Sequence, residues 1–350
     1  YKKFHCIADK CIDTCCAEWQ IVIDDESLEK YRNYKGDYQQ TLCQNIDWEE
    51  GVFGHNKRGK CAFLRDDDLC DMYIHMGEDS LCTTCREYPR HTEEFENLRE
   101  ITLSLSCPEV AKIVMNTTEP ITFVTKEDET DECYEEFDYF LFSELEDVRE
   151  EMIRIIQDRN VNLRDRIDKI LQISVSVQRH YDAGSLISWN EFEESDRVCV
   201  ENEYELFERL FLFLFEEFEI LYPQWAEVLV ESRLFLFGEG KKVFEQNKEE
   251  FETWWNTSNL TPLDIVLEQL VVYFISVYLL GAVYDENILG KVDACIGHTI
   301  EIYLLLLGRW LKHGELAMDD VIEVVYRYSR EIEHSDENLE RAEMLNWFAR

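Results

Sequence analysis

Apolar residues recur at helical spacing through most of the chain beyond residue 131. Val148–Ile156 and Leu163–Tyr181 place them three and four apart, as one buried helix face requires, and the second stretch ends near Gly184, a natural helix stop. Leu206–Leu221 is so rich in Phe and Leu that it must be buried on most sides, and it stops before Pro223. Ala226–Phe237 and Val243–Trp255 predict two further helices. Thr261–Pro262 reads as an N-cap followed by proline at the first helical position, with Asp264 near the positive end of the dipole. The apolar run Gln269–Tyr284 is shorter than the ~20 residues of a membrane span and predicts a buried helix. Ile288–Leu311 and Met318–Arg350 complete the set.

The N-terminal part lacks this regularity. From Tyr1 to about Pro108, turn residues (Gly51, Gly54, Gly59, Gly77, Pro89) interrupt the pattern. Only Ser27–Tyr38 predicts a short helix, and Ile101–Ser106 alternates as a short strand does. No internal repeat is present. The expected fold class is mainly α: an irregular cysteine-rich metal-binding module over residues 1–126, and a multi-helix domain over residues 127–350. The acidic stretch Glu127–Glu151 reads as a solvated linker between them, with a docking face for a basic partner as the alternative.

Composition adds a large core and a strong field. With 45 % hydrophobic residues the chain is not a disordered acidic protein, although 75 acidic against 35 basic residues give a formal charge of −40. A field of that sign disfavours nucleic acid and anionic membranes, and attracts cations or lysine-bearing protein surfaces. No segment reads as a signal peptide or a membrane span.

Thirteen cysteines then change the picture. Ten lie between Cys6 and Cys107, and only Cys133, Cys199 and Cys295 lie beyond. An odd number, crowded at one end of a chain with ample apolar content, predicts thiolate metal ligands in a reducing cytoplasm rather than disulfide staples. The candidates are Cys6, Cys11, Cys15, Cys16, Cys61, Cys70, Cys82, Cys85 and Cys107. Cys82 and Cys85, two residues apart, can reach one metal from a tight turn. All-thiolate ligation suits zinc or an iron–sulfur cluster, in one site or two. Cys43, Cys133, Cys199 and Cys295 read as buried structural thiols. The three-cysteine spacing of radical S-adenosylmethionine enzymes is absent, because Glu18 and Glu78 stand where it needs cysteine.

Several strings carry a resemblance. Phe4-x-Cys6, Cys11-Ile12-Asp13-Thr14-Cys15-Cys16-Ala17-Glu18-Trp19, Ile21-Val22-Ile23-Asp24 and Cys61-Ala62-Phe63-Leu64 resemble the flagellin lysine-N-methylases. So do Leu69-Cys70, Leu81-Cys82-Thr83-Thr84-Cys85-Arg86-Glu87-Tyr88-Pro89-Arg90, Ser106-Cys107-Pro108-Glu109-Val110-Ala111, and Tyr328-Ser329-Arg330-Glu331-Ile332-Glu333-His334-Ser335 with Asn338. The resemblance implies methyl transfer from S-adenosylmethionine to lysine amines of flagellin, in the cytoplasm of a flagellated bacterium, by an enzyme holding a cysteine-bound iron–sulfur cluster of 4Fe-4S type. The glycine-rich strand-to-helix loop of a Rossmann-type donor site is not visible.

Lysine methylation requires a neutral amine, whose unperturbed pKa is near 10.4, to attack a sulfonium methyl in line. A carboxylate, histidine or tyrosine can take its proton. Glu331 and His334 share a helix face and are the candidate catalytic pair, with the alternative that they are a surface hydrogen-bonding pair. His298 and Glu301 have the same spacing and the same two readings. Arg86, Tyr88 and Arg90 beside Cys85 either brace the cluster or contact the donor's carboxylate, and Trp19 and Tyr73 either join a cation cage or pack in the core. Two non-methylating alternatives are a metal-containing protein-binding module and an electron-transfer protein.

Overall fold

The computed structural model describes residues 2–17, 19–57, 59–96, 98–126, 137–185, 202–345 and 347–348. It is mainly helical, and its contacts divide it into two units: Tyr1–Glu93 with Glu100–Ile113, and Glu94–Arg99 with Val114–Arg350.

The first unit is built of short pieces. In chain order these are α1 (Asp25–Asn33), α2 (Gln39–Asn45), β1 (Ile46–Asp47), β2 (Val52–Phe53), α3 (Asp71–Met76) and α4 (Thr83–Glu87). The hairpin strands β3 (Arg90–Phe95) and β4 (Leu98–Leu103) follow, with Glu94–Arg99 counted in the second unit, then α5 (Pro108–Met115), whose last two residues also belong to the second unit. Ile21, Ile23, Tyr31, Leu42, Phe53, Phe63 and Met72 form the core. Asp24 ties two helix starts together: its carboxylate accepts the Ser27 N–H of α1 at 3.0 Å and the Thr83 N–H of α4 at 2.8 Å. Against the upward pull of burial, those backbone donors hold its carboxyl down to about 2. The helix expected over Ser27–Tyr38 ends at Asn33, because Tyr34 is extended. The expected strand Ile101–Ser106 lies three residues earlier, as β4. Ser104 has already left the ladder and donates its N–H to the Pro89 carbonyl at 2.8 Å.

The second unit contains α6 (Tyr139–Ile156), α7 (Leu163–Asp182), α8 (Glu203–Glu216), α9 (Pro223–Phe237), α10 (Lys241–Thr257) and α11 (Leu263–Tyr278). A one-turn 3₁₀ segment leads to α12 (Ala282–Asp285), α13 (Ile288–His313), α14 (Met318–Glu333) and α15 (Asp336–Glu343). The central helix is α13. It is buried almost continuously from Ile288 to Gly308 and packs against α7, α8, α9, α10, α11, α14 and α15. Gly308 permits the approach of α9, since a Cβ there would stand 3.1 Å from the Ser232 Cβ.

Several expectations are corrected here. Residues 127–136 of the expected linker lie outside the described residues, but from Tyr139 onward the stretch is helix α6, capped by Asp138 accepting the Leu141 N–H at 2.9 Å. Thr261 is not a cap: its hydroxyl donates to the Met115 carbonyl at 2.9 Å, and α11 begins after Pro262. Met318–Arg350 is not one helix, because Ser335 closes α14 and caps α15 through the Asn338 N–H. The apolar run around α11 is longer than the sequence suggested. Leu263–Asp285 spans 23 residues, and it and Ile288–His313 are long and apolar enough to cross a membrane, yet 72 % and 78 % of their apolar windows are buried within the protein. Such burial is what core helices show.

Candidate functional site

In the first unit, eight of the nine candidate metal cysteines are drawn into one another's electrostatic range. Cys15, Cys70 and Cys82 act on Cys61, Cys16 and Cys61 on Cys85, and Cys11 and Cys15 on Cys107. The backbone arranges this: the Cys61 N–H donates to the Cys16 carbonyl at 2.9 Å, and Leu64 bridges Cys70. Cys70 and Cys82 each stand immediately before a helix, α3 and α4, and Cys107 immediately before α5. Their sulfurs accept backbone N–H groups of the first turn. Cys6 lies exposed at the surface.

Burial pushes the Cys61 thiol up to about 11 and the Cys107 thiol up to about 12, and it raises Cys70 as well. Cys85 donates its S–H to Cys82, which raises Cys85 and lowers Cys82. Cys61, Cys70, Cys85 and Cys107 are thus thiols that keep their protons unless a cation replaces them. The described cysteines are free thiols. Among the described residues no three His, Cys, Asp or Glu side chains are gathered closely enough to hold a metal ion. The donor chemistry suits a thiophilic metal or cluster; the ligand geometry for one is not assembled.

Cys295 is buried as expected of a structural thiol, whereas Cys43 is exposed, and Cys133 and Cys199 lie outside the described residues. Around α4, Arg86 pairs with neighbouring Glu87 at 3.2 Å on the surface. The Tyr88 hydroxyl bonds Ser106 at 3.1 Å, and its ring lies 5.8 Å from that of Trp19. The Arg90 guanidinium covers the Phe4 ring at 5.6 Å. Trp19 donates its indole N–H to the Cys15 carbonyl at 2.8 Å, and Tyr73 is exposed. Trp19, Tyr88 and Arg90 therefore brace the chain around the cysteines.

In the second unit, Glu331 is buried near the end of α14, and His334, half-buried with its ring nitrogens inside, follows the last residue of that helix. The Glu331 carboxylate accepts the N–H groups of Leu221 and Tyr222, both at 2.9 Å. Asn338 completes this clamp on the α8–α9 loop: it accepts the Glu219 N–H at 2.8 Å and donates to the carbonyls of Glu219 and Glu331 at 3.0 and 2.7 Å. Arg330 adds a bond to the Tyr222 hydroxyl at 3.0 Å. Burial, then the charge of Arg330, holds His334 down to about 3, so its ring is neutral.

The other spaced pair is joined by a residue the sequence did not single out for it. His298 Nδ1 lies 2.7 Å from the Tyr328 hydroxyl, and that hydroxyl donates to the Glu301 carboxylate. One hydroxyl proton cannot serve both partners, so the chain runs from His298 Nδ1–H to Tyr328 to Glu301. All three are buried, and burial raises Glu301 and Tyr328. Ala294, Gly297, His298 and Glu301 form one face of α13 at helical spacing. That face borders a small cavity walled by Phe213, Phe218 and Trp347. The visible signal was four ionisable residues (Lys291, Asp293, His298, Glu301) inside an otherwise apolar helical stretch.

Comparison with known proteins gives the setting for both clusters. Residues 149–348 match the profile of the FliB lysine N-methylase C-terminal domain. A lysine-N-methylase of Salmonella typhimurium is 31 % identical over 123 residues, which cover 33 % of this chain and 30 % of that protein. The flagellar biosynthetic protein FliU of Salmonella muenchen is 31 % identical over 122 residues, covering 32 % of this chain and 72 % of FliU. A lysine-N-methylase of Salmonella choleraesuis is likewise 31 % identical over 122 residues and is covered over 30 % of its length. No solved structure matches the chain.

Proposed function

Because the chain belongs to the FliB lysine N-methylase family, whose C-terminal domain covers residues 149–348, we propose that it transfers methyl groups from S-adenosylmethionine to lysine side chains of flagellin. The observation that carries this reading is that family match, with a buried His–Tyr–Glu hydrogen-bonded chain inside the matched region. The substrate rests on the names of the relatives, lysine-N-methylase and flagellar biosynthetic protein. The net charge of −40 agrees with a lysine-bearing partner. The cytoplasm, where flagellin is made and thiols stay reduced, is the compartment this activity requires.

In this reading the ligands of an iron–sulfur cluster, four to a cluster in one site or two, come from Cys11, Cys15, Cys16, Cys61, Cys70, Cys82, Cys85 and Cys107, with Cys6 a surface candidate. Tyr88 and Arg90 support the chain around it. Methyl transfer from a sulfonium needs no redox change, so no step passes through those cysteines. Glu331 and His334 act as positioning residues: Glu331 fixes the α8–α9 loop, and neutral His334 closes α14.

The test is the intact mass of flagellin after incubation with anaerobically prepared protein and S-adenosylmethionine. Mass added in methyl steps, dependent on protein and donor together, supports the enzyme. Unchanged flagellin beside folded protein that still binds it supports the non-enzymatic binding module instead.

A further inference from the structure

The cavity beside α13 is built unlike a packing void. It is a narrow gap between side chains, too tight for a water molecule. Three aromatic rings wall it in a corner: Phe213 meets Phe218 at 4.8 Å and Trp347 at 5.3 Å, both edge to face. Opposite them stand a carboxylate, Glu301, and an imidazole, His298. Aromatic faces with one carboxylate are the chemistry that recognises an ammonium or sulfonium. Glu301 and His298 reach this lining already joined through the Tyr328 hydroxyl, so the pair is held in place where it borders the gap.

Two further observations point the same way. Gly297 sits mid-helix on the cavity face, where glycine weakens a helix relative to alanine. A Cβ there would meet Leu210 at 3.6 Å and Trp347 at 3.7 Å, ordinary contact distances, so alanine fits the fold and only the space is lost. The wall carrying Trp347 lies beyond α15, near the chain end. Phe348 donates its N–H to Asp293 at 3.2 Å. Arg209 donates to the Trp347 carbonyl at 3.2 Å and covers its ring at 5.1 Å. Two polar contacts and a ring stack hold this wall in place.

We propose that this cavity is the pocket for the side chain of the lysine to be methylated, opened by displacement of Trp347, with His298 as the group that takes the ammonium proton. The proposal rests on the lysine-methylation reading and adds the site to it. The ammonium gives one proton to His298 Nε2. The Nδ1 proton passes to the Tyr328 oxygen as the Tyr328 proton passes to Glu301, which becomes a carboxylic acid. The freed amine lone pair forms the N–C bond to the methyl of the sulfonium donor, and the sulfur leaves as a thioether with the C–S electron pair. The product leaves as a methylammonium when the pocket opens, and the proton held on Glu301 returns through Tyr328 and His298 to solvent, which restores the chain.

The experiment measures binding of a fluorescent lysine peptide and its Nε-acetyl-lysine counterpart by anisotropy, using the full chain and the Gly297→Ala variant. The expected results are selective binding of the unmodified peptide, affinity about tenfold or more lower in Gly297→Ala, and an unchanged or higher melting temperature in the variant. Should Gly297→Ala fail to fold, Glu301→Gln carries the test, with the same loss of affinity expected. Equal affinity of the variant and the parent, or no preference for lysine over acetyl-lysine, overturns the pocket even if flagellin is methylated. Selective binding lost in the variant, without methylation of any flagellin, upholds the pocket and overturns the methylation reading.

Discussion

Asp293 is the residue whose environment departs furthest from water while keeping so few partners. Burial pushes its carboxyl up to about 7, although Phe348 and Trp347 offer it backbone N–H groups, and its Oδ1 is buried with no hydrogen-bond partner. A carboxyl raised on folding contributes stability that is complete below its unfolded pKa near 4 and lost as pH climbs through about 7. Relative to Asp293→Asn, the parent protein should therefore lose stability between pH 4 and pH 7, by about 4 kcal/mol at most, and no further above that. Urea titrations of both proteins across that range check it; parallel curves would contradict it. Glu331 yields a prediction of the opposite sort. It holds two backbone N–H groups at 2.9 Å. Glu331→Gln turns an amide donor toward one of them and should cost about 2 kcal/mol, seen as a lower urea midpoint. A variant as stable as the parent would return Glu331 to the list of open catalytic bases.

At the scale of elements, the hydrophobic period located the helices well, because each must bury one face and α13 must bury all of them. The errors fall where a polar side chain or a single dihedral decides. Tyr34 ends α1 by turning extended, Ser335 divides the last helical stretch, and Thr261 spends its hydroxyl on Met115 rather than on a cap. None of these choices leaves a trace in apolar spacing. The site was half legible for the same reason. His298 and Glu301 could be paired by spacing, but Tyr328 lies on another helix and meets them only through packing of α13 against α14. Glu331 and His334 could be paired by spacing, as a catalytic or a surface pair, but the loop N–H groups of Leu221 and Tyr222 that occupy Glu331 could not be read from it. The close approach of α9 to α13 gives a direct check. Gly308→Ala must push Ser232 aside from 3.1 Å and should destabilise by roughly 1–3 kcal/mol, despite alanine's better helix propensity. Thermal unfolding reads this, and a raised melting temperature would refute the packing.

The whole molecule joins two chemistries in one acidic chain: a small unit crowded with thiols and a helical unit whose central helix carries buried ionisable groups. The cysteine strings made the crowding of thiols in the first legible, but not how far apart their sulfurs stand, since among the described residues no group of them is gathered to hold a metal. The second came from family membership and from geometry, because aromatic walls contributed by α8 and the chain end are not neighbours in sequence. The central claim is lysine methylation, and the most direct measurement locates the methyl group itself. Flagellin is incubated with the protein and S-adenosylmethionine carrying a deuterated methyl, then digested and mapped by mass spectrometry. Deuterated methyl on lysine Nε atoms, absent without the protein, is the result expected. Flagellin whose lysines all remain unlabelled, beside folded protein prepared without oxygen, would contradict it.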